Sequence, residues 1–157
     1  MKVHIISIGK TTAPYLKEGI EDYRKRLRHY LKLEWTEIPE LKNAAGCSHE
    51  QIKDREAILF QSKIRSGSFL VLLDEKGRTM NSLELAAFLN KRMLSGSKEM
   101  TVLIGGAYGF SKELRQSAGA LISLSKMTFT HQMVRLIWLE QLYRAMSILR
   151  NEPYHHS

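Results

Sequence analysis

The chain has 157 residues, of which 43% are hydrophobic and 25% charged, with 10 Gly and 3 Pro, and this composition excludes a disordered or fibrous protein. Its length predicts a single domain, residues 1–157, whose core needs no disulfide or structural metal. A formal net charge of +8, from 24 Lys and Arg against 16 Asp and Glu, favours a polyanionic partner such as a nucleic acid, although a merely basic protein would show the same excess.

The compartment is indicated by Cys47 and by the N-terminus. Cys47 is the single cysteine, so no internal disulfide can form, and a free thiol fits a reducing cytoplasm. The apolar run after Met1 is too short for a signal peptide, and no run approaches the roughly 20 residues that span a bilayer. We therefore expect a cytoplasmic protein with no membrane partner.

The first half of the chain predicts two strands and two helices. A β-branched run stopped by Gly9 indicates a strand, and apolar residues repeat every three or four positions after Pro14, which is typical of an amphipathic helix. Ser48 with Gln51 three residues later forms a capping box for the second helix. The predicted elements are a strand at 3–8, a helix at 14–30, a strand at 33–38 and a helix at 49–64.

Two continuous apolar runs in the second half lack the polar alternation of a half-exposed strand. Such runs suit strands that are covered on both faces, as in a parallel sheet. Asn81 with Glu84, and then Ser111, supply helix starts, and the polar residues 74–77 predict a turn after the first run. The predicted elements are strands at 69–73, 100–104 and 120–124, helices that begin after Asn81 and Ser111, and a last helix at 131–149.

This alternation of strands and helices predicts an α/β fold with a mostly parallel sheet flanked by helices. In an open parallel sheet, ligands bind just beyond the carboxyl ends of the strands. Three segments are expected to meet there, namely residues 73–74, 105–109 and 124–129. The sequence therefore predicts one ligand site at this edge of the sheet.

The glycine-rich segment 105–109 follows a buried strand, where glycines let a ligand approach the main chain closely. It lacks the Gly-Lys-Ser/Thr of a phosphate loop, and Gly9 opens no dinucleotide fingerprint. A nucleoside held by main-chain groups therefore fits better than ATP or NAD. An ordinary glycine-rich turn remains the alternative interpretation.

Two further segments carry residue types suited to ligand or partner binding. Met127 and Phe129 could sandwich an aromatic base, or their segment could be a plain connector. The last predicted helix is apolar around most of its circumference, so it must be buried, either wholly in the core or partly against a second subunit. In the polar tail, Tyr154 and His155 are suited to proton transfer or base stacking. No metal is expected, because no suitably spaced partner accompanies the two tail histidines.

Together these segments resemble one family, the bacterial 23S ribosomal RNA pseudouridine N3-methyltransferases of the SPOUT class, and the resemblance covers the whole chain. It rests on the opening residues 3–10, on Leu73 followed by Lys76-Gly77, on Ile104-Gly105-Gly106-x-x-Gly109, on the segment Ser-Leu-Ser-Lys-Met-Thr-Phe-Thr-His-Gln-Met-x-Arg at 123–135, and on the ending from Glu140 to Pro153-Tyr154-His155. Thr130 departs from the proline that members often carry there, but threonine can cap the following helix.

The resemblance implies a fold, a cofactor and a set of site residues. Such enzymes thread the C-terminal part of the sheet as a trefoil knot, one of the rare exceptions to unknotted topology, and form homodimers through that region and the last helix. It implies S-adenosylmethionine as the cofactor and 23S ribosomal RNA in the ribosome as the substrate. The residues matching cofactor contacts are Leu73, Gly105, Leu124, Ser125, Lys126, Met127, Thr128 and Phe129, and those matching catalytic positions are Tyr154, His155 and Arg135.

Three other functions stay open at this point. A non-catalytic RNA-binding protein would bind RNA without a cofactor. A flavodoxin-like regulatory module would bind a nucleotide phosphate, which the missing phosphate loop disfavours. A related methyltransferase could act on another RNA such as transfer RNA.

Overall fold

The computed structural model describes residues 1–156 and confirms the predicted alternation of strands and helices. The five strands form one sheet in the order β2-β1-β4-β3-β5, and every neighbouring pair is parallel. The fold is therefore α/β with a parallel sheet flanked by helices. Its elements are β1 (Lys2–Ile8), α1 (Pro14–Leu27), β2 (Lys32–Ile38), α2 (His49–Gln61), β3 (Phe69–Thr79), α3 (Ser82–Leu94), β4 (Glu99–Ile104), α4 (Lys112–Ser117), β5 (Ala120–Ser123) and α5 (His131–Leu149).

The core has two parts, one on each face of the sheet. The larger part joins the sheet to α1, α3 and α5, and Trp138 at its centre is fully buried. The smaller part joins the sheet to α2 and α4 around Phe60 and Phe110. Because both faces are covered, β4 and the first half of β3 are almost wholly buried, as the lack of polar alternation at 69–73 and 100–104 predicts.

The predicted helix starts are confirmed by their hydrogen bonds. Ser48 and Asn81 each accept from the main chain three residues later, and the side chains of Gln51 and Glu84 return to the cap. Thr130 accepts from the Met133 amide at 3.2 Å. The threonine that departs from the family pattern therefore caps α5 normally.

The turn predicted at 74–77 is wrong, because β3 continues through it to Thr79. Leu73 and Arg78 both pair with Ile122 of β5, so the residues between them form an irregularity in the ladder. Within it, Gly77 lies against the main chain of β5. Local composition predicts a turn here, whereas pairing with a distant strand makes the segment extended.

The last helix, α5, packs against both α1 and α3, and each of its residues is buried or half-buried. Val134, Leu136 and Ile137 are half-buried. The second-subunit interpretation of this helix stays a prediction. Of the helices in the described part of the chain, none is long and apolar enough to span a membrane.

Candidate functional site

A cavity of about 710 Å³ lies at the carboxyl ends of β3, β4 and β5. All three predicted segments contribute to it, and the first turn of α1 completes the wall with Tyr15 and Leu16. The volume is within the range usual for small-molecule sites. The candidate cofactor residues that line the cavity are Leu73, Gly105, Leu124, Ser125, Met127, Thr128 and Phe129. Lys126, the eighth candidate, is not a lining residue.

The cavity wall carries a compensated charge. Arg115 donates to Asp74 at 2.6 Å, and the buried Asp74 also accepts from the Lys76 amide at 2.9 Å. Among the described lining residues, Arg115 is the one Lys or Arg. Since its charge is already paired, the cavity offers a phosphate little positive potential, which agrees with the absent phosphate-loop motif.

The glycine-rich segment makes a tight turn at the cavity. The Gly109 amide donates to the Gly106 carbonyl at 3.3 Å, and Gly109 has a φ of +81°, which favours glycine. Tyr108 stacks on His49 of α2, with ring centroids 3.9 Å apart. The turn is therefore held from the α2 side, with one face of it bordering the cavity.

The segment between β5 and α5 is ordered by its own hydroxyls. Ser123 donates to the Ser125 carbonyl at 2.8 Å, and Ser125 accepts from the Met127 amide at 3.0 Å. Phe129 lines the cavity, while the Met127 side chain is 74% exposed at its rim. An exposed methionine beside an apolar cavity can cover a flat ligand or contact a partner.

Arg135 lies inside the protein. Its guanidinium is fully buried and donates to the carbonyls of Ile8 and Gly9, at 2.6 and 3.0 Å, and to the Thr11 hydroxyl at 3.1 Å. Burial lowers the pKa of Arg135, and the charges of Glu37 and Glu40 act in the opposite direction. In this position Arg135 holds the β1–α1 loop, and it is not among the residues that line the cavity.

Tyr154 and His155 lie outside the cavity lining. The Tyr154 hydroxyl interacts with the Tyr23 hydroxyl at 3.0 Å and donates to Glu140 at 3.2 Å. Arg144 lies over the Tyr154 ring, 4.8 Å from its centre. Burial, first, and these hydrogen bonds raise the pKa of Tyr154. In this position Tyr154 is a neutral phenol and an unsuitable general base.

Sequence reasoning missed His131, which opens α5 and lines the cavity. Burial and the neighbouring charge of Arg135 lower the pKa of His131. Its imidazole is therefore neutral near pH 7 and able to accept a proton. Its position close after the 124–129 segment was the available signal.

Among residues 1–156, no group of three or more His, Cys, Asp or Glu is placed to hold a metal ion.

A sequence profile described as "Predicted SPOUT methyltransferase" matches residues 1–155. Proteins named "Ribosomal RNA large subunit methyltransferase H" from Parabacteroides distasonis and Flavobacterium johnsoniae are 48% and 47% identical to the chain, with 99% of each chain covered.

Two solved structures share the fold at low sequence identity. A probable methylase family protein from Haemophilus influenzae has a TM-score of 0.53 at 11% identity, covering 99% of this chain and 70% of that one. A probable methyltransferase from Bordetella pertussis has a TM-score of 0.54 at 9% identity, covering 92% and 95%.

Proposed function

Because the chain belongs to the SPOUT methyltransferase family, we propose that it transfers a methyl group from S-adenosylmethionine to N3 of a pseudouridine in 23S ribosomal RNA. Relatives matched over their full length are named ribosomal RNA large subunit methyltransferases, which supports ribosomal RNA as the substrate. The observation that carries the proposal is the meeting of the three candidate cofactor segments in one cavity. The site of action is then the cytoplasm, where ribosomes are.

The cavity fits S-adenosylmethionine in chemistry as well as in size. Leu73, Ile104, Ile122 and Leu124 give it apolar side chains for an adenine ring, and the main chain of residues 105–109 offers amides and carbonyls. The cofactor carries no phosphate, so a cavity whose single arginine is already paired suits it. When bound, the cofactor supplies a methyl group on a sulfonium, which is activated for displacement.

The chain's residues must align the reactants and manage one proton. A bound cofactor would supply the methyl group to N3, with the electron pair of the broken methyl–sulfur bond left on sulfur. N3 of pseudouridine carries a proton that must leave to a base. Alignment of nitrogen, methyl and sulfur is the main contribution of such a site, and we assign proton transfer to the cavity and tail histidines, His131 and His155.

We infer a homodimer in which the tail of one protomer completes the cavity of the other. Tyr154 and His155 lie away from their own cavity, and the cavity rim exposes Tyr15, Tyr108 and Met127. A second protomer that covers these side chains would bring a tail into reach. In the same proposal the C-terminal part of the sheet is a trefoil knot, supported by the close passage of Gly77 over β5.

The RNA surface is assigned to the dimer and to the basic face of α1 with its C-cap, where Lys17, Lys25 and Arg28 are exposed. Such cations mainly contact phosphates and carry little sequence information. An assembled ribosomal particle therefore supplies part of the specificity.

The proposal is tested by methyl transfer from labelled S-adenosylmethionine to intact ribosomes, to naked 23S RNA and to transfer RNA. We expect label in the 23S RNA of assembled ribosomes, at N3 of a pseudouridine by mass spectrometry. Label in transfer RNA would overturn the substrate, and efficient methylation of a short stem-loop would overturn the need for assembly. Absence of both label and calorimetric cofactor binding would favour a non-catalytic RNA-binding protein.

Replacement of His155 by alanine is expected to slow single-turnover methyl transfer at least about tenfold, because general acid–base groups contribute on the order of 10²–10⁴ in rate. Cofactor affinity, measured by calorimetry, should be unchanged, because His155 is proposed to act on the target base and not to hold the cofactor. His156→Ala, at the exposed next residue of the tail, is the control. A near-normal rate for His155→Ala would remove His155 from the mechanism.

Mixing subunits tests whether the tail acts across the dimer. Leu124→Glu, which places a charge in the cavity wall, should be inactive alone, and His155→Ala alone should be slowed at least about tenfold. If the tail serves the partner's cavity, co-expression of the two variants regains activity through dimers that hold one intact composite site. Failure to regain activity, with dimers shown by ultracentrifugation, would place the tail's action within one protomer.

A further inference from the structure

Glu56 is a buried carboxyl that lies directly behind the glycine-rich segment. It belongs to α2 and is 6% exposed, and its Oε1 has no hydrogen-bond partner among residues 1–156. A Cβ built on Gly106 would lie 2.6 Å from Glu56 Oε2 and 3.0 Å from Oε1. The carboxyl therefore fills the space behind Gly106 that a larger residue would need.

Helix α2 thus holds the glycine-rich segment at two points. His49, in its first turn, stacks on Tyr108, and Glu56 packs behind Gly106 two turns later. Gly106 and Tyr108 line the cavity, whereas Glu56 is not among the described lining residues. We therefore expect Glu56 to affect a bound ligand through the main chain of residues 105–109.

We propose that Glu56 is a positioning residue for the cofactor. The Glu56 carboxyl, packed behind Gly106, sets the path of residues 105–109 along the cavity. The inference rests on the proposed use of S-adenosylmethionine at this site. The packed carboxyl must be the neutral acid, because a buried carboxylate without a hydrogen-bond donor is strongly disfavoured.

The surroundings of Glu56 support the neutral form. Burial, and then the charge of Glu40, raise the pKa of Glu56 to about 7. Glu40, in the segment after β2, lies against Gly9 and also acts electrostatically on Arg135 and His131 of α5. Ionisation of Glu56 above this pKa draws the carboxyl towards water and releases Gly106. Since the packed state binds one more proton, cofactor affinity should fall as pH rises through about 7.

Calorimetric titration of full-length protein with S-adenosylmethionine between about pH 6 and about pH 8.5 tests whether cofactor affinity falls as pH rises. We expect the affinity of the wild-type protein to fall at least about threefold across this range relative to Glu56→Gln, whose neutral amide cannot ionise. Because both proteins bind the same ligand, titration of the cofactor's own amino group cancels in the comparison. Glu50→Gln, on the same helix but with an exposed side chain, should follow the wild-type profile.

A compensating pair of variants tests the contact itself. Gly106→Ala should weaken cofactor binding about tenfold, because its methyl group competes with the Glu56 carboxyl for one space. Glu56→Ala with Gly106→Ala should regain most of that loss, since the space is then free. If the two side chains do not compete for this space, the losses in cofactor affinity of the two single variants should add instead.

The outcomes separate this inference from the proposed function. Parallel pH profiles for the wild-type protein and Glu56→Gln, or additive losses in the double variant, would overturn the positioning role while the cofactor assignment stands. If Gly106→Ala does not fold, as judged by circular dichroism, the Glu56→Gln profile decides alone. A wild-type protein that binds no S-adenosylmethionine at any pH would overturn the proposed function and this inference together.

Discussion

Replacement of Gly77 by alanine is expected to destabilise the protein by about 3 kcal/mol, at the upper end of what overpacking usually costs. A Cβ at position 77 would lie 2.5 Å from the carbonyl carbon of Leu121 and 2.6 Å from the amide nitrogen of Ile122. Both are main-chain atoms of β5, which is held by its pairing with β3. Unlike a flexible side chain, they cannot rotate out of the way.

The effect is measured by urea unfolding, with Gly96→Ala as the control. Gly96 has a φ of +78° and no atom within 4 Å of its built Cβ, so alanine there costs only backbone strain of about 1 kcal/mol. Gly77→Ala should also reduce cofactor affinity, because β3 and β5 lead into the cavity residues Leu73 and Leu124. Equal losses for the two variants would contradict the close passage of β3 over β5.

Local sequence patterns predict much of this fold. The runs at 69–73 and 100–104 predicted strands covered on both faces, because a strand without polar alternation has no face suited to water. Ser48, Asn81, Ser111 and Thr130 predicted helix starts, since capping depends on residues three positions apart. The extension of β3 through 74–77 depends on pairing with β5, some forty residues away, and composition alone favours a turn there.

The sequence likewise predicts one part of the candidate site and misses another. The strand-end rule located residues 73–74, 105–109 and 124–129, because parallel strands end at one edge of the sheet. It could not find Tyr15 and Leu16, which reach the cavity from α1. Glu56 was also missed, since a glutamate in a weakly amphipathic helix is usually solvated. In our proposal the tail acts at the cavity of a second protomer, and the sequence of one chain indicates this only by resemblance.

Replacement of Arg135 by alanine is expected to cost about 3 kcal/mol of stability, because it leaves buried polar groups without their donor. The carbonyls of Ile8 and Gly9 and the Thr11 hydroxyl all lose a hydrogen bond from one guanidinium. Arg135→Lys should lose less, about 1–2 kcal/mol, since an ammonium reaches fewer of these acceptors. Thermal or urea unfolding gives both values, with Arg28→Ala, at the exposed residue that follows α1, as the control.

The same variants decide how Arg135 affects catalysis. Arg135 fixes the loop after β1, and Gln132 of α5 bonds to that loop at the Lys10 carbonyl and the Thr12 amide. A positioning residue predicts that Arg135→Lys, assayed where it is fully folded, loses about tenfold or less in single-turnover rate. Its pH–rate profile should also match the wild-type profile. A loss above about a hundredfold with near-normal stability would mean that the guanidinium leaves its buried position and contacts the reacting base, as oxyanion-stabilising groups do. Because Arg135 is fully buried, we expect the smaller loss of rate. Its release would leave the carbonyls of Ile8 and Gly9 without a hydrogen-bond donor.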